Sequence, residues 1–185
     1  MRTIIFLFVL TVGLMLLLKL VITPKYGEDV QSRFIERIKY IPSQKPDLLS
    51  RRNLARWLTD GTNSKAISGY VFPVLFPFDF LFLVSLGLLL GIASVALAGR
   101  FDFLSNVPHW IWWLFPSLYM ASDFFEDVAV IALFKLLVPL TDGSYSLLSR
   151  LTAIKLVTVS VAIGQVGFLG TLHALLFFFP ANRQF

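Results

Sequence analysis

Asp79, Asp123, Glu126, Asp127 and Lys155 all stand inside runs of apolar residues. A charge at the centre of a bilayer costs about 2.5–3.5 kcal/mol on insertion scales, so such residues are paired, buried against protein or used. Asp123 lies three residues before Glu126 and four before Asp127, so on a helix it shares a face with each. Tyr119 falls on the same face, where its hydroxyl can donate to Asp123. Counting along antiparallel helices places all these groups in one half of the membrane, with one carboxylate paired to Lys155. Such a set suits a hydrogen-bonded knot that fixes helix register and partner choice, or a proton or ion relay. A relay needs ionisable groups along the whole crossing, and the remaining stretches offer only two histidines. The paired Glu-x-x-His units of di-iron bundles are absent from the sequence, and no nucleophile stands beside a base. The expectation is a structural cluster, with no enzymatic activity and no metal.

The histidines are His109, at the start of the third apolar stretch, and His173, near the end of the fourth. Both fall toward the side of the membrane away from the carboxylates. Imidazole is a common axial ligand, so a haem or a chlorophyll-type pigment is one reading of the pair, and the 19 phenylalanines suit a macrocycle pocket. The plainer reading is interfacial: His109 adjoins Trp110, Trp112 and Trp113, an aromatic belt of the kind found at a membrane surface. No cofactor is expected.

The elements that must position these groups follow from composition. The 185 residues are 57% hydrophobic and 15% charged, against roughly 25% charged in a soluble domain. The chain lacks cysteine, which excludes disulfides and thiolate metal sites. Its mean hydropathy is +0.78. An integral membrane protein is the only class that fits, in a bacterial or organellar inner membrane. Four spans are predicted, at about 3–24, 69–98, 108–138 and 147–179, as an all-α up-down bundle forming a single domain. The first run is longer than a signal-peptide core and is read as an uncleaved helix. Pro116 is expected to kink or restart the third span, and Pro139 with Thr141-Asp142-Gly143 to end it. Gly87, Gly91 and Ser94, and again Gly164, Gly167 and Gly170, give two spans faces that a neighbour can approach closely.

Between the first two spans lies a basic loop, 25–68, with two amphipathic pieces. Arg33 and Arg37 flank the first piece, while Arg51, Arg52 and Arg56 flank the second, whose apolar face carries Leu54, Trp57 and Leu58. Such helices lie on a bilayer or dock on a partner, or cap the bundle. Ten Lys and Arg fall on the loop side against three on the other. The positive-inside rule therefore puts the loop on the cytoplasmic side and both termini opposite. The nearest partners for its charge are anionic headgroups, with no need for nucleic acid. Other membrane subunits are the second expected partner.

With these residues in view, the chain resembles a family of uncharacterised four-span membrane proteins, mostly bacterial. The resemblance covers about residues 50 to 160. It rests on Leu54 to Gly61 leading to Tyr70, on Phe76-Pro77-Phe78-Asp79-Phe80, on Asp123-Phe124-Phe125-Glu126-Asp127, and on Thr152-Ala153-Ile154-Lys155. Asp127 stands where the family has Asn. The resemblance implies a four-span fold and no particular activity. The expected role is that of an interaction or scaffold protein, an accessory subunit of a respiratory, photosynthetic or transport complex.

Overall fold

The computed structural model describes residues 1–27, 30, 51–104 and 106–178, without side chains for 51–54 and 177. The first amphipathic piece, with Arg33 and Arg37, lies outside the described residues. Among those described the chain is helical and contains no strand. Helix α1 (Arg2–Leu17) passes through a wide π-helical turn, Leu18–Ile22, into a short α2 (Thr23–Tyr26). Then come α3 (Arg51–Thr59), a 3₁₀ turn (Gly61–Asn63), α4 (Ser64–Gly69) and a broken wide-turn segment (Tyr70–Asp79). The long helices α5 (Phe80–Ala98), α6 (His109–Phe134) and α7 (Asp142–Phe178) complete the fold.

Among the described residues three stretches are long and apolar enough to cross a membrane: Arg2–Tyr26, Gly61–Ala98 and Asp142–Leu176. The α6 helix, the expected third span, has 26 residues but is not among them, and it carries Asp123, Glu126 and Asp127. Neighbouring long helices pair in reversed residue order. Thr11 on α1 donates a hydrogen bond to Ser85 on α5 at 3.2 Å. Gly87 and Gly91 on α5 face Met120 and Trp113 on α6. Trp112 and Glu126 on α6 meet Gln165 and Thr152 on α7.

Several expected boundaries move, each for a local reason. The second apolar run becomes a regular helix only at Phe80, because Phe72 and Phe76 are extended (φ/ψ −137°/118° and −127°/127°). Each precedes a proline, whose ring disfavours the helical region for the residue before it. The third helix ends at Phe134 rather than at Pro139. There Leu136 takes a left-handed conformation with φ 53°. Its N–H bonds the Leu133 carbonyl at 3.1 Å, and the Leu137 N–H bonds Ala132 at 2.9 Å. This is a Schellman stop built without glycine. The fourth helix starts at Asp142, earlier than 147, because Thr141 and Ser144 cap it reciprocally. The Ser144 N–H donates to Thr141 Oγ1 at 3.2 Å and the Thr141 N–H to Ser144 Oγ at 2.8 Å.

Pro116 neither kinks α6 sharply enough to end it nor restarts it: the helix runs through. A proline has no N–H to give the carbonyl four residues earlier, which here belongs to Trp112. Gln165 of α7 supplies the missing donor, its Nε2 lying 3.1 Å from the Trp112 oxygen. Gln165→Leu is therefore expected to leave a carbonyl unsatisfied and to cost about 1–3 kcal/mol. Thermal unfolding of the purified chain in detergent measures this, and an unchanged midpoint would show that the bond contributes nothing.

The α3 helix is the second amphipathic piece, and it caps the bundle. Trp57 and Leu58 are buried in a core with Ile22, Tyr70, Val74, Phe134 and Leu148. The Trp57 and Tyr70 rings lie 6.3 and 6.0 Å from that of Phe134. Arg56 stays exposed on the other face. The helix ends at Thr59, and Asp60 caps the turn that follows by accepting the Thr62 N–H at 3.0 Å.

Candidate functional site

The α6 helix buries Tyr119, Ser122, Asp123, Glu126, Val130 and Leu133, a stripe at spacings of three and four. Phe124 and Phe125, which separate the two buried carboxylates in sequence, are exposed. Phe124 and Phe125 thus face outward while Asp123 and Glu126 face inward. On α7 the matching stripe is Leu148, Thr152, Lys155 and Thr158, with Lys155 half-buried.

Lys155 bridges two carboxylates. Its Nζ lies 2.5 Å from Asp123 Oδ1 and 2.9 Å from Glu126 Oε2. The side chains of Asp123 and Glu126 are only 4% and 9% exposed, and that of Lys155 is 26% exposed, so the contact is nearly dry. In such surroundings an ion pair is worth keeping only if its geometry is close and its spare lone pairs are met. Thr152 meets one of them: its hydroxyl donates to Glu126 Oε1, with the Leu148 carbonyl of its own helix 3.1 Å away. Tyr119, buried one turn before Asp123, has its phenol within hydrogen-bonding range of that carboxylate.

Asp79 stands at the start of α5, half-buried, and is near enough to Asp123, Glu126 and Lys155 to interact electrostatically. Asp127 is also half-buried, and Asp79 is the strongest electrostatic influence among its charged neighbours. Of the six residues expected to form a polar cluster, Asp123, Glu126 and Lys155 meet between α6 and α7 with Tyr119 beside Asp123, and Asp79 and Asp127 lie within electrostatic reach of them. The difference from expectation lies in the pairing: the ammonium serves two carboxylates rather than one. Chemically this is a clamp, in which charges from two helices neutralise each other where water is scarce. Among the described residues no three His, Asp or Glu side chains are grouped to hold a metal ion.

The histidines lie elsewhere. His109 is exposed at the start of α6, and His173 is exposed on α7, its ring edge-on to Phe101 at 6.2 Å. Phe101 itself is buried with Ala98 and Leu169. Of the basic residues of the second amphipathic piece, Arg51 and Arg52 fall in the first turn of α3.

Sequence reasoning assigned no role to Thr152 and Tyr70. Thr152 precedes Lys155 by three residues, so it had to share that face, and this spacing was the available signal. Tyr70 is 5% exposed and within electrostatic reach of Asp79 and Asp127, and it comes from the far side of the broken segment. No periodicity crosses that break, so its approach to the cluster had no local signature.

Comparison with protein-family models, with curated proteins and with solved structures gives no match.

Proposed function

We propose that the chain is an integral membrane interaction protein, an accessory subunit of a larger membrane assembly of respiratory, photosynthetic or transport type. In this reading α6 is a fourth span, the four long helices form an up-down bundle, and the basic loop lies on the cytoplasmic side. The likeness to the four-span family belongs to the same proposal, resting on Asp79, Asp123–Asp127 and Lys155.

The observation that carries it is the division of α7 into two faces. One face is committed to α6 through Lys155, Thr152 and Gln165. The other has Gly164 and Gly167 with nothing within 4 Å of where a Cβ would project, and exposed Phe168 beside them. Only 17% of the apolar window of α7 is buried within the chain. Small residues on an uncovered spanning helix suit close approach by another helix.

The test is copurification in a mild detergent, comparing the native chain with Gly167→Leu. The expected result is that companion subunits accompany the native chain and are lost from the variant, while the abundance of the chain itself is unchanged. A native chain that migrates alone would count against the proposal.

A second reading, a proton- or ion-handling protein using the same cluster, draws support from one imbalance. Four carboxylates lie within electrostatic reach of one ammonium, and among the described residues Lys155 forms ion pairs with Asp123 and Glu126 but not with Asp79 or Asp127. Asp79 and Asp127 are then candidates to take up and release a cation or a proton.

A further inference from the structure

At the loop-side end of the first two spanning stretches, the ends of α2 and α4 approach closely. A Cβ on Gly69 would lie 3.1 Å from the Tyr26 carbonyl oxygen, and one on Gly27 would lie 3.1 Å from the Tyr70 ring. Two residues without side chains let the helix ends meet there. Beside the crossing is a cavity of about 560 Å³ whose walls include Lys25, Tyr26, Thr62, Asn63 and Lys65. Its size falls in the range of small-molecule sites, about 300–1,000 Å³.

The polar groups around this cavity divide into spent and unspent donors. The Thr62 hydroxyl donates to Asp60 Oδ1 at 2.8 Å, and Asn63 Nδ2 donates to the Trp57 carbonyl at 2.9 Å. The Thr62 N–H and hydroxyl, both donating to Oδ1, hold the Asp60 carboxyl below its ordinary range, so it stays ionised. The Lys25 ammonium sits 5.2 Å from the centroid of the Tyr26 ring, a cation–π contact that holds it at the wall without neutralising it. Among the described residues no carboxylate forms an ion pair with Lys25 or Lys65. Two ammonium groups therefore line the cavity, and among the described residues neither has a carboxylate partner. One helical turn before Lys25, Leu20 and Val21 are exposed on the first spanning stretch.

We propose that this cavity binds the phosphate of an anionic glycerophospholipid headgroup, held between Lys25 and Lys65, with the acyl chains lying along the exposed apolar side of the first span. Basic pockets between spanning helices on the cytoplasmic side are suited to acidic headgroups. The adjoining apolar strip favours a lipid over free phosphate, because only a lipid has chains to cover it. This site is separate from the cluster on α6 and α7 and does not depend on what that cluster does.

The test uses the full chain, purified in mild detergent and stripped of lipid. It is incubated separately with short-chain phosphatidylglycerol, short-chain phosphatidylcholine and inorganic phosphate, and retained ligand is read by native mass spectrometry. Phosphatidylglycerol is expected to be retained at least fivefold over phosphatidylcholine and not displaced by equimolar phosphate. The Lys25→Gln/Lys65→Gln pair is expected to lower that retention about tenfold, since each lysine near an anionic lipid contributes a factor of several. Lys135→Gln, which removes an exposed lysine at the end of α6, is expected to leave it unchanged, and Lys65→Arg to preserve it. Both pocket lysines are exposed, so the double variant should elute and give a circular dichroism spectrum like the native chain. If it does not, the single Lys65→Gln change carries the same comparison. Equal retention by the pocket variant and the native chain overturns the proposal, as does an equal loss with Lys135→Gln. Displacement by inorganic phosphate overturns the lipid assignment.

Discussion

Lys155→Met is expected to be the most damaging single replacement in the chain. It removes the ammonium that lies 2.5 and 2.9 Å from Asp123 and Glu126 and leaves two buried carboxylates facing each other. Breaking a buried pair by deleting one partner costs about 3–5 kcal/mol, because the remaining charge has lost both water and counterion. Adding Glu126→Gln to the same chain is expected to recover part of that loss. Hydrogen bonds and polar contacts between membrane helices are individually modest, about 0.6 kcal/mol on average, so most of the effect comes from the orphaned charge. The measurement is a double-mutant cycle on thermal unfolding in detergent, read beside proton flux in vesicles. Collapse of abundance and stability with flux unaltered supports the clamp. A stable bundle with lost flux supports proton handling instead.

The second large effect is expected at Gly91. A Cβ built there would lie 2.3 Å from the Trp113 ring, closer than carbon atoms can approach. The ring is rigid and sits on α6, so relief requires the ring or the helix to move. Gly91→Val should cost about 1–3 kcal/mol as an overpacked contact, at the upper end because a branched side chain adds two more carbons. Gly87→Ala is milder, since its neighbour 2.3 Å away is the flexible side chain of Met120. Gly164→Val is the matched control, because nothing lies within 4 Å of its Cβ position. Unfolding midpoints of the three variants should rank Gly91→Val lowest and Gly164→Val nearest the native chain. A midpoint for Gly91→Val equal to that of Gly164→Val would show that α5 and α6 are not in close contact in the membrane.

Helical class and the convergence of Asp123, Glu126 and Lys155 were legible in the sequence because both follow from simple rules. Apolar length specifies helices that suit a bilayer, and the three- and four-residue spacing specifies which carboxylates share a face. The inward direction of that face follows from the cost of putting charge in lipid. The close-approach role of Gly87 and Gly91 could be read too, but not which neighbour they admit, because spacing carries no partner identity. The boundaries were harder. Leu136 ends α6 in a conformation normally left to glycine, so nothing in its residue type announces a stop. The capping of α7 by Thr141 and Ser144 looks like a loop in sequence because the same residue types favour both. The contact between Gln165 and Trp112 was out of reach for a different reason: a carbonyl freed by Pro116 can be met by any donor on any neighbouring helix.

The order of residues in the clamp has a consequence for biosynthesis. Asp123 and Glu126 precede Lys155 along the chain, so the translating ribosome releases the two acids before the base that neutralises them. If α6 is a span, it reaches the lipid-facing gate of the insertion machinery with its counterion still unmade. The two C-terminal long helices should then enter the bilayer as one preassembled hairpin, and a chain truncated after α6 should leave that helix stranded in the aqueous phase.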